Sequence, residues 1–391
     1  MKQSPLLPFP VSEYETRLQK VIAAMGKAGI DALVLTSDEN TYYFSGFNSI
    51  VWDSKVSTPG TVVITGDGSI MLATSSGGRY TAGATSCVDD IRYYGSDGYA
   101  TYVKAIVSLL EEKNLLKSAR IGFELGNGHK MHLNYTLTKE LFDELCDDTI
   151  VDASAVLWEV RCIKSPLEIE YLRKASSINV RAIQHGFDVL REGMTEMDLY
   201  DNIMSEYFRL GAQRALPIGV RAGKDRYSQS NCPPGYRPIR KGDIILVDGG
   251  PIYQGYYSDI IREAVIGSPT PHQLDVFNIA REACYAGIDA IKPGRPINEV
   301  CKVVDDYLDN SKYAVLNVYH GWCGHGIGAG VHESPMLDAQ TTTLLQPGMT
   351  FAIEPYIFED GVGSLGIEEN VLVTENGCEI MSKSNSELII L

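Results

Sequence analysis

The 391-residue chain has no stretch approaching 18 uninterrupted apolar residues, so no segment is expected to span a bilayer. Its opening MKQSPLLPFPVSEYE lacks the apolar core of a signal peptide. The eight cysteines, at 87, 146, 162, 232, 284, 301, 323 and 378, show no CxxC spacing. Together these absences predict a cytoplasmic protein whose thiols are mostly free and often buried. Acidic residues outnumber basic ones, 50 to 34, but the net charge of −16 is spread without a long acidic run. That balance favours solubility and argues against a nucleic-acid backbone as partner; the charge of a small substrate is left open. Apolar content of 44% and charged content of 21% exclude disordered and collagen-like classes. The length is too great for one ordinary core and suits two domains.

The first 155 residues alternate helix-like and strand-like stretches. A charged amphipathic run, Ser12 to Lys27, leads into the apolar strand Ala32 to Thr36, and Thr61 to Thr74 reads as a hairpin around Gly66-Asp67-Gly68. Tyr102 to Glu112 and Leu137 to Leu145 read as helices flanking a strand at Ile121-Gly122-Phe123. We expect an N-terminal α/β domain over 1–155 without a catalytic cluster, and a second domain over 156–391. Ser165-Pro166-Leu167-Glu168 combines an N-cap serine, a proline at the first helical position and a glutamate three residues after the cap. The helix it starts should run to about Arg191 and stop at Gly193, with Thr195 capping the next.

The second half repeats itself. GFDVLREGMTEMDLYDNI (186–203) aligns with GIDAIKPGRPINEVCKVV (287–304) at an offset of 101, and KGDIILVD aligns with PGMTFAIE at 106, pairing Asp248 with Glu354. Chance matching of short helical segments is the alternative for either pair alone. Two matches in the same order at nearly equal offsets favour a duplicated helix-helix-hairpin unit. A pseudo-twofold axis would then bring the two hairpins together.

Each hairpin carries two acids. Directly paired hairpin residues have a constant index sum and point to one face. Asp248 and Asp259 sum to 507, which places the turn at Tyr253-Gln254; Glu354 and Glu368 sum to 722, which places it at Gly361. Opposed like charges destabilise a strand pair unless a cation neutralises them. Solvent-facing acids are the alternative, but ILVD and FAIE set each acid at the end of an apolar run. His325 lies in Gly324-His325-Gly326-Ile327-Gly328, where glycines allow close backbone approach. With His320 and His332 it makes three of the seven histidines fall within thirteen residues. Four carboxylates and one imidazole suit two adjacent divalent ions better than one structural zinc, which prefers thiolate and imidazole.

These residues resemble the pita-bread metallopeptidases, the family of methionine aminopeptidase, aminopeptidase P, prolidase and the metal-free creatinase. The likeness covers nearly the whole chain: NTYYFSGF in the first domain, RCIKSPLEIEYLRKA at the boundary, and YYSDIIREAVIG, GHGIGAGVHESP and IEP in the second. It implies an N-terminal creatinase-like α/β domain followed by a pseudo-twofold pita-bread catalytic domain, α/β (α+β) in class. It further implies that Asp248, Asp259, His325, Glu354 and Glu368 hold two divalent ions, manganese first among manganese, cobalt, iron and zinc. The bridging water would be the nucleophile, Glu354 would carry its proton to the leaving nitrogen, and His332 would hydrogen-bond the oxyanion. The substrate implied is an Xaa-Pro peptide. A homodimer is implied as well, with the aromatic stretch 41–53, and Trp52 above all, bordering the neighbour's site; ordinary core packing is the alternative for these aromatics.

Two positions depart from the prolidase pattern. No histidine lies between His185 and His272, where prolidases carry an additional one upstream of the first aspartate; Tyr227 or Asn231 occupies that region. Prolidases commonly place an arginine two positions before the last glutamate, where this chain has Gly366. Such a carboxylate clamp contributes about 1.5–3 kcal/mol. Arg221 and Arg226 are candidates to supply charge from another side, surface arginines being the alternative. An Xaa-Pro hydrolase therefore stands first, a hydrolase of a small non-peptide amide second, and a catalytically silent binding protein third.

Overall fold

Spacing of the buried residues Tyr14, Arg17, Val21, Ala24 and Met25 gives helix α1 (Val11–Ala28) one inward stripe, and Gly29, with φ of 63°, ends it in the left-handed region. The computed structural model describes the chain except residues 55–58, 96–100, 127, 146–149, 230, 231 and 318. It divides into two units, Met1–Arg161 and Cys162–Leu391.

The first unit is a six-stranded mixed sheet built from β1 (Ala32–Leu35), β2 (Gly60–Thr65), β3 (Ile70–Ser75), β4 (Asp90–Tyr94), β5 (Ile121–Phe123) and β6 (Ile150–Asp152), in the order β4-β3-β2-β1-β5-β6. Helices α2 (Asp38–Ser45), α3 (Arg79–Thr85), α4 (Tyr102–Glu112) and α5 (Tyr135–Asp143) join them. The central strand β1 is buried throughout, as its ALVL sequence requires of a strand covered on both faces. Helix α6 (Ser154–Arg161) lies against α1, so the first unit extends six residues beyond the boundary at 155.

In the second unit the capping signals act as written. Ser165 and Glu168 form a reciprocal capping box at the start of α7 (Pro166–Val189), and Thr195 and Asp198 do the same for α8 (Glu196–Arg209). Then come β7 (Arg214–Ala215), β8 (Gly219–Ala222), β9 (Ile244–Gly249), β10 (Pro251–Tyr253), β11 (Tyr256–Tyr257) and β12 (Ile260–Val265). The second half repeats the order with α9 (Pro271–Ala290), α10 (Ile297–Asp309), β13 (Trp322–Gly326), β14 (Glu333–Asp338), β15 (Thr350–Ile353), β16 (Tyr356–Glu359), β17 (Gly363–Gly366), β18 (Glu369–Thr374), β19 (Gly377–Ile380) and β20 (Ile389–Ile390). One sheet runs β20-β12-β9-β8 and the other β14-β13-β15-β18-β19.

Three matched details show the duplication physically. Helices α7 and α9 end 101 residues apart, as α8 and α10 begin 101 apart, and β9 and β15 begin 106 apart. Gly193 donates its N–H to Ile239 as Gly294 does to Leu345. A Cβ on Gly186 would lie 2.5 Å from Ile203, and one on Gly287 2.6 Å from Val304, so both helix pairs cross at a glycine too tight for any side chain. No helix among the described residues is long and apolar enough to cross a membrane.

Candidate metal centre

The first hairpin closes differently from the index sum. Asp248 pairs with Ile261, and Tyr253 with Tyr256, so the turn residues are Gln254 and Gly255, with φ of 49° and 79°. Two consecutive positive φ angles are the type I′ hairpin geometry that matches strand twist. Asp259 therefore stands diagonal to Asp248 instead of opposite it. The shift is two residues, which preserves the face, and both carboxylates still point the same way. The second hairpin keeps the sum of 722, with Ile353 on Glu369 before the acids and Tyr356 on Gly366 after them, so Glu354 and Glu368 face each other across a short break in pairing.

His325 enters from β13, with Gly324 on Ile353 and His325 on Ala352. A Cβ on Gly324 would lie 2.1 Å from the Ala352 carbonyl, which explains the glycine before the histidine. Nδ1 of His325 donates to the Gly326 carbonyl at 2.9 Å, so the other ring nitrogen, Nε2, offers a lone pair when the imidazole is neutral.

The five side chains converge. Ligand atoms of Asp248, Asp259 and Glu368 lie within 4.8 Å of one another, as do those of His325, Glu354 and Glu368, and those of Asp259, His325 and His332. Burial lifts the Asp259, Glu354 and Glu368 carboxyls well above the usual range, and neighbouring acids lift each further. Burial also raises Asp248, against the opposing pull of Arg221 and His325. His325 is pushed down to about 4 by burial, so it is neutral at pH 7.

A metal fits this arrangement on internal evidence. Oδ1 of Asp259, both carboxylate oxygens of Glu368 and Nε2 of His325 are buried without a hydrogen-bond partner. Nε2 of His325 lies 3.2 Å from Glu354 but without hydrogen-bonding geometry. Unpaired buried acceptors are costly, and converging ones more so, unless a cation completes them. Oxygen-rich donors with one nitrogen match the hard divalent ions.

Several supporting residues carried no signal in the sequence. The Asn370 side chain accepts from Ser258 Oγ at 2.8 Å and Asp259 N at 3.1 Å, and donates to the Asp259 carbonyl at 2.6 Å. Asn179 donates to the Gly249 carbonyl at 2.8 Å and accepts from Tyr207 at 2.7 Å. Lys164 and Glu333 form a buried ion pair at 3.1 Å, and Glu333 accepts from Gly330 N, which pins the loop carrying His332. Their partners are distant in sequence, so no local pattern announces them.

Above the acids opens a cavity of about 700 Å³. Asp248, Asp259, Glu354 and His332 line it together with Tyr319, Trp322 and Tyr356, an aromatic wall that no motif in the sequence marks. The His332 ring sits 4.1 Å from that of His325 at 79°, and burial with that neighbour lowers it to about 4. His320 instead turns outward to Asp309.

The expected substrate contacts divide. Arg221 lines the cavity and is only 4% exposed, so it is not a surface arginine. Tyr227 is not part of the cavity lining: its hydroxyl accepts from Ile244 N at 2.7 Å inside the core. Asn231 lies outside the described residues. Arg226 is taken up by buried Glu196 at 3.0 Å. Trp52 is 4% exposed and packs edge-on against His132, 5.1 Å away within the first unit, while Ile50 and Val51 beside it are exposed.

Comparison with known proteins agrees with this geometry. Residues 17–163 match the creatinase/prolidase N-terminal domain and residues 170–375 match metallopeptidase family M24. An uncharacterized peptidase of Bacillus subtilis is 27% identical over 96% of this chain and 100% of its own length. An Xaa-Pro dipeptidase of Pyrococcus horikoshii is 26% identical over 95% of this chain and 98% of its own. The solved Xaa-Pro dipeptidase from Bacillus anthracis superposes with a TM-score of 0.84 at 27% identity, covering 97% of this chain and all of its own. A family match over more than half the chain, on a duplicated fold whose buried acids and histidine meet under one cavity, shows that the chain is a hydrolase belonging to metallopeptidase family M24.

Proposed function

We propose that the protein is a dinuclear metal-dependent hydrolase that cleaves the bond before proline in small Xaa-Pro peptides. The observation that carries this is the set of unpaired, buried donor atoms on Asp259, His325 and Glu368, grouped with Asp248 and Glu354 beneath an aromatic-walled cavity. Relatives of this length and fold are named as Xaa-Pro dipeptidases, which supports the substrate class.

Two divalent ions, manganese first, would supply Lewis acidity toward water and toward the scissile carbonyl. Asp248, Asp259, His325, Glu354 and Glu368 would hold them. Glu354 lines the cavity, where it can accept a proton from the attacking water and deliver it to the proline nitrogen. His332 stands on the open side of the group and, being neutral at pH 7, can donate one N–H to the developing oxyanion. Tyr319, Trp322 and Tyr356 offer flat apolar faces to a proline ring or an apolar neighbour, with Tyr356 held by its hydroxyl on Tyr319 at 2.7 Å. Homodimerisation and a cytoplasmic setting belong to the same proposal; the seven cysteines among the described residues are all free, which suits a reducing compartment.

A small non-peptide amide is the second reading, favoured by Gly366, where the usual arginine clamp is missing. The test is metal-stripped protein reloaded in turn with manganese, cobalt, iron and zinc. It is assayed on Xaa-Pro dipeptides, longer Xaa-Pro peptides and small amides, with metal content counted per chain. Two ions and proline-peptide turnover are expected. Turnover of small amides alone would replace the first reading with the second, and one ion per chain would reject the dinuclear centre.

A further inference from the structure

The boundary motif RCIKSPLE does more than start a helix. Ser165 and Glu168 cap α7, and the residue before them, Lys164, turns inward: its ammonium meets Glu333 at 3.1 Å, and the two side chains are 2% and 1% exposed. Glu333 follows His332 at the start of β14, where successive side chains point to opposite sides. His332 reaches the cavity and Glu333 the core. The pair also explains the last glycine of GHGIG. A Cβ on Gly328 would lie 2.5 Å from Glu333 Oε2 and 2.8 Å from Lys164 Cε, so the ion pair fills the space that a side chain there would need.

His332 needs such a foundation because its ring has little of its own. Among the described residues the ring makes no hydrogen bond, and its aromatic contact is with His325, 4.1 Å away. The place of the imidazole is therefore set by its main chain, which leaves β13 through Gly326-Ile327-Gly328-Ala329-Gly330-Val331. Glycine gives the backbone more freedom than any other residue, so a segment that is half glycine holds no shape by itself. It is held at Ile327, whose N–H goes to the Thr350 carbonyl at 3.1 Å, and at Gly328, whose carbonyl accepts from Tyr257 N at 2.9 Å. It is held again at Gly330, whose N–H goes to Glu333 Oε1 at 2.9 Å. The first two are main-chain contacts; the third uses a side chain whose charge is met by Lys164. The Tyr257 contact leads back to the same corner, since the neighbouring Tyr256 hydroxyl donates to the capping Glu168 at 2.9 Å. The start of α7 thus supports the loop twice.

Stability alone is a poor reason for such a pair. Taking two charges out of water costs about as much as their attraction returns, and replacing both partners by neutral groups is often harmless to folding. What the pair supplies is geometry: a charged hydrogen bond without competing solvent fixes Glu333, and with it the residue beside it. Building on the role proposed above for His332, we propose that Lys164 and Glu333 are positioning residues for the oxyanion step. They fix the root of His332 so that its N–H meets the developing oxyanion. Neither lines the cavity, so both act through His332.

The test uses the full chain loaded with manganese. Lys164→Met combined with Glu333→Gln removes both charges and leaves the Gly330 N–H an acceptor. On an Xaa-Pro dipeptide this double change should lower kcat about 10- to 100-fold at unchanged KM and metal content, the cost of misplacing a group by about 1 Å. Made in the His332→Gln protein, the same double change should lower kcat no further. An unchanged kcat in the first comparison overturns the proposal. So does an equal loss in both backgrounds, the mark of a purely structural pair, and so does metal lost in step with activity, because the pair would then serve His325. If the methionine variant does not fold, Lys164→Gln with Glu333→Gln keeps a neutral hydrogen bond and is judged by the same comparison, with a smaller loss expected that again vanishes without His332. Hydrogen exchange over residues 326–333 gives a readout independent of turnover, and it should quicken in the double variant while β18 keeps its protection. If wild type cleaves no Xaa-Pro substrate, the hydrolase reading fails separately. Quickened exchange at 326–333 would still support positioning of the loop, and unchanged exchange would reject it.

Discussion

Replacing Glu368 with glutamine is expected to stabilise the metal-free protein while weakening its hold on metal. Ligand atoms of Glu368, Asp248 and Asp259 lie within 4.8 Å of one another. Two unit charges that far apart repel by about 3.5 kcal/mol at an effective dielectric near 20. Two such neighbours exceed the roughly 3 kcal/mol needed to keep a proton at pH 7 on a carboxyl whose ordinary pKa is 4.5. The metal-free site therefore takes up a proton in preference to bearing the repulsion, and that uptake caps the strain. Glutamine is neutral without it, so the gain is about 2–3 kcal/mol, or roughly 5–10 °C in Tm for a unit of about 230 residues. The pH sign follows from the raised folded-state value. The contribution of Glu368 to stability is complete below about pH 4.5 and is lost as pH rises through the folded pKa. Metal-free wild type should thus melt progressively lower from about pH 5 to 8, with the variant less sensitive. With manganese the order should reverse, since binding to the folded state stabilises it and the variant has lost a ligand. Scanning calorimetry in chelator and then in manganese reads both effects. A metal-free variant that melts at or below wild type at pH 8 would refute the electrostatic argument.

Three further outcomes follow from contacts around the site. His332→Gln should lower kcat about 10²-fold at unchanged metal content, as steady-state kinetics with metal analysis would show; metal loss in step with activity would reassign the residue to the ligands. Asn370→Leu removes the contacts that hold the Asp259 backbone and should weaken metal affinity about 10- to 100-fold, measured by competition with a chelating dye. Lys164→Met leaves Glu333 buried without its partner and should cost about 3–5 kcal/mol in denaturant unfolding, against little loss if the pair is dispensable.

What could be read from the chain depended on whether a side chain's role is set locally. Ser165 and Thr195 announce their helices because the cap and its acid are three residues apart, and both boxes form as written. Gly186 and Gly287, or Gly193 and Gly294, expose the duplication because one packing need recurs at one spacing. Asn370, Asn179 and the Lys164–Glu333 pair were invisible, since each acts on a residue tens to hundreds of positions away. Tyr227 also owes its place to the fold. Its nearness in sequence to the missing histidine suggested the cavity, yet its ring joins the core and its hydroxyl serves Ile244.

The first hairpin shows why an imperfect register can still locate a site. Assuming that Asp248 and Asp259 are directly paired puts the turn one residue early, because Gln254 and Gly255 together adopt the positive φ angles that a tight hairpin demands. The resulting error in the index sum is two. An error of one would have sent Asp259 to the helix-covered face, among Val220 and Val247, and dissolved the cluster. Parity, not exact pairing, decides whether two acids share a face, and parity is safe whenever both stand in phase with apolar residues that must face the core. The face on which Arg221 stands, unlike its candidacy, could not be read from the sequence. Its parity relative to Asp248 depends on the pairing of β8 with β9, across more than twenty intervening residues that no sequence pattern counts.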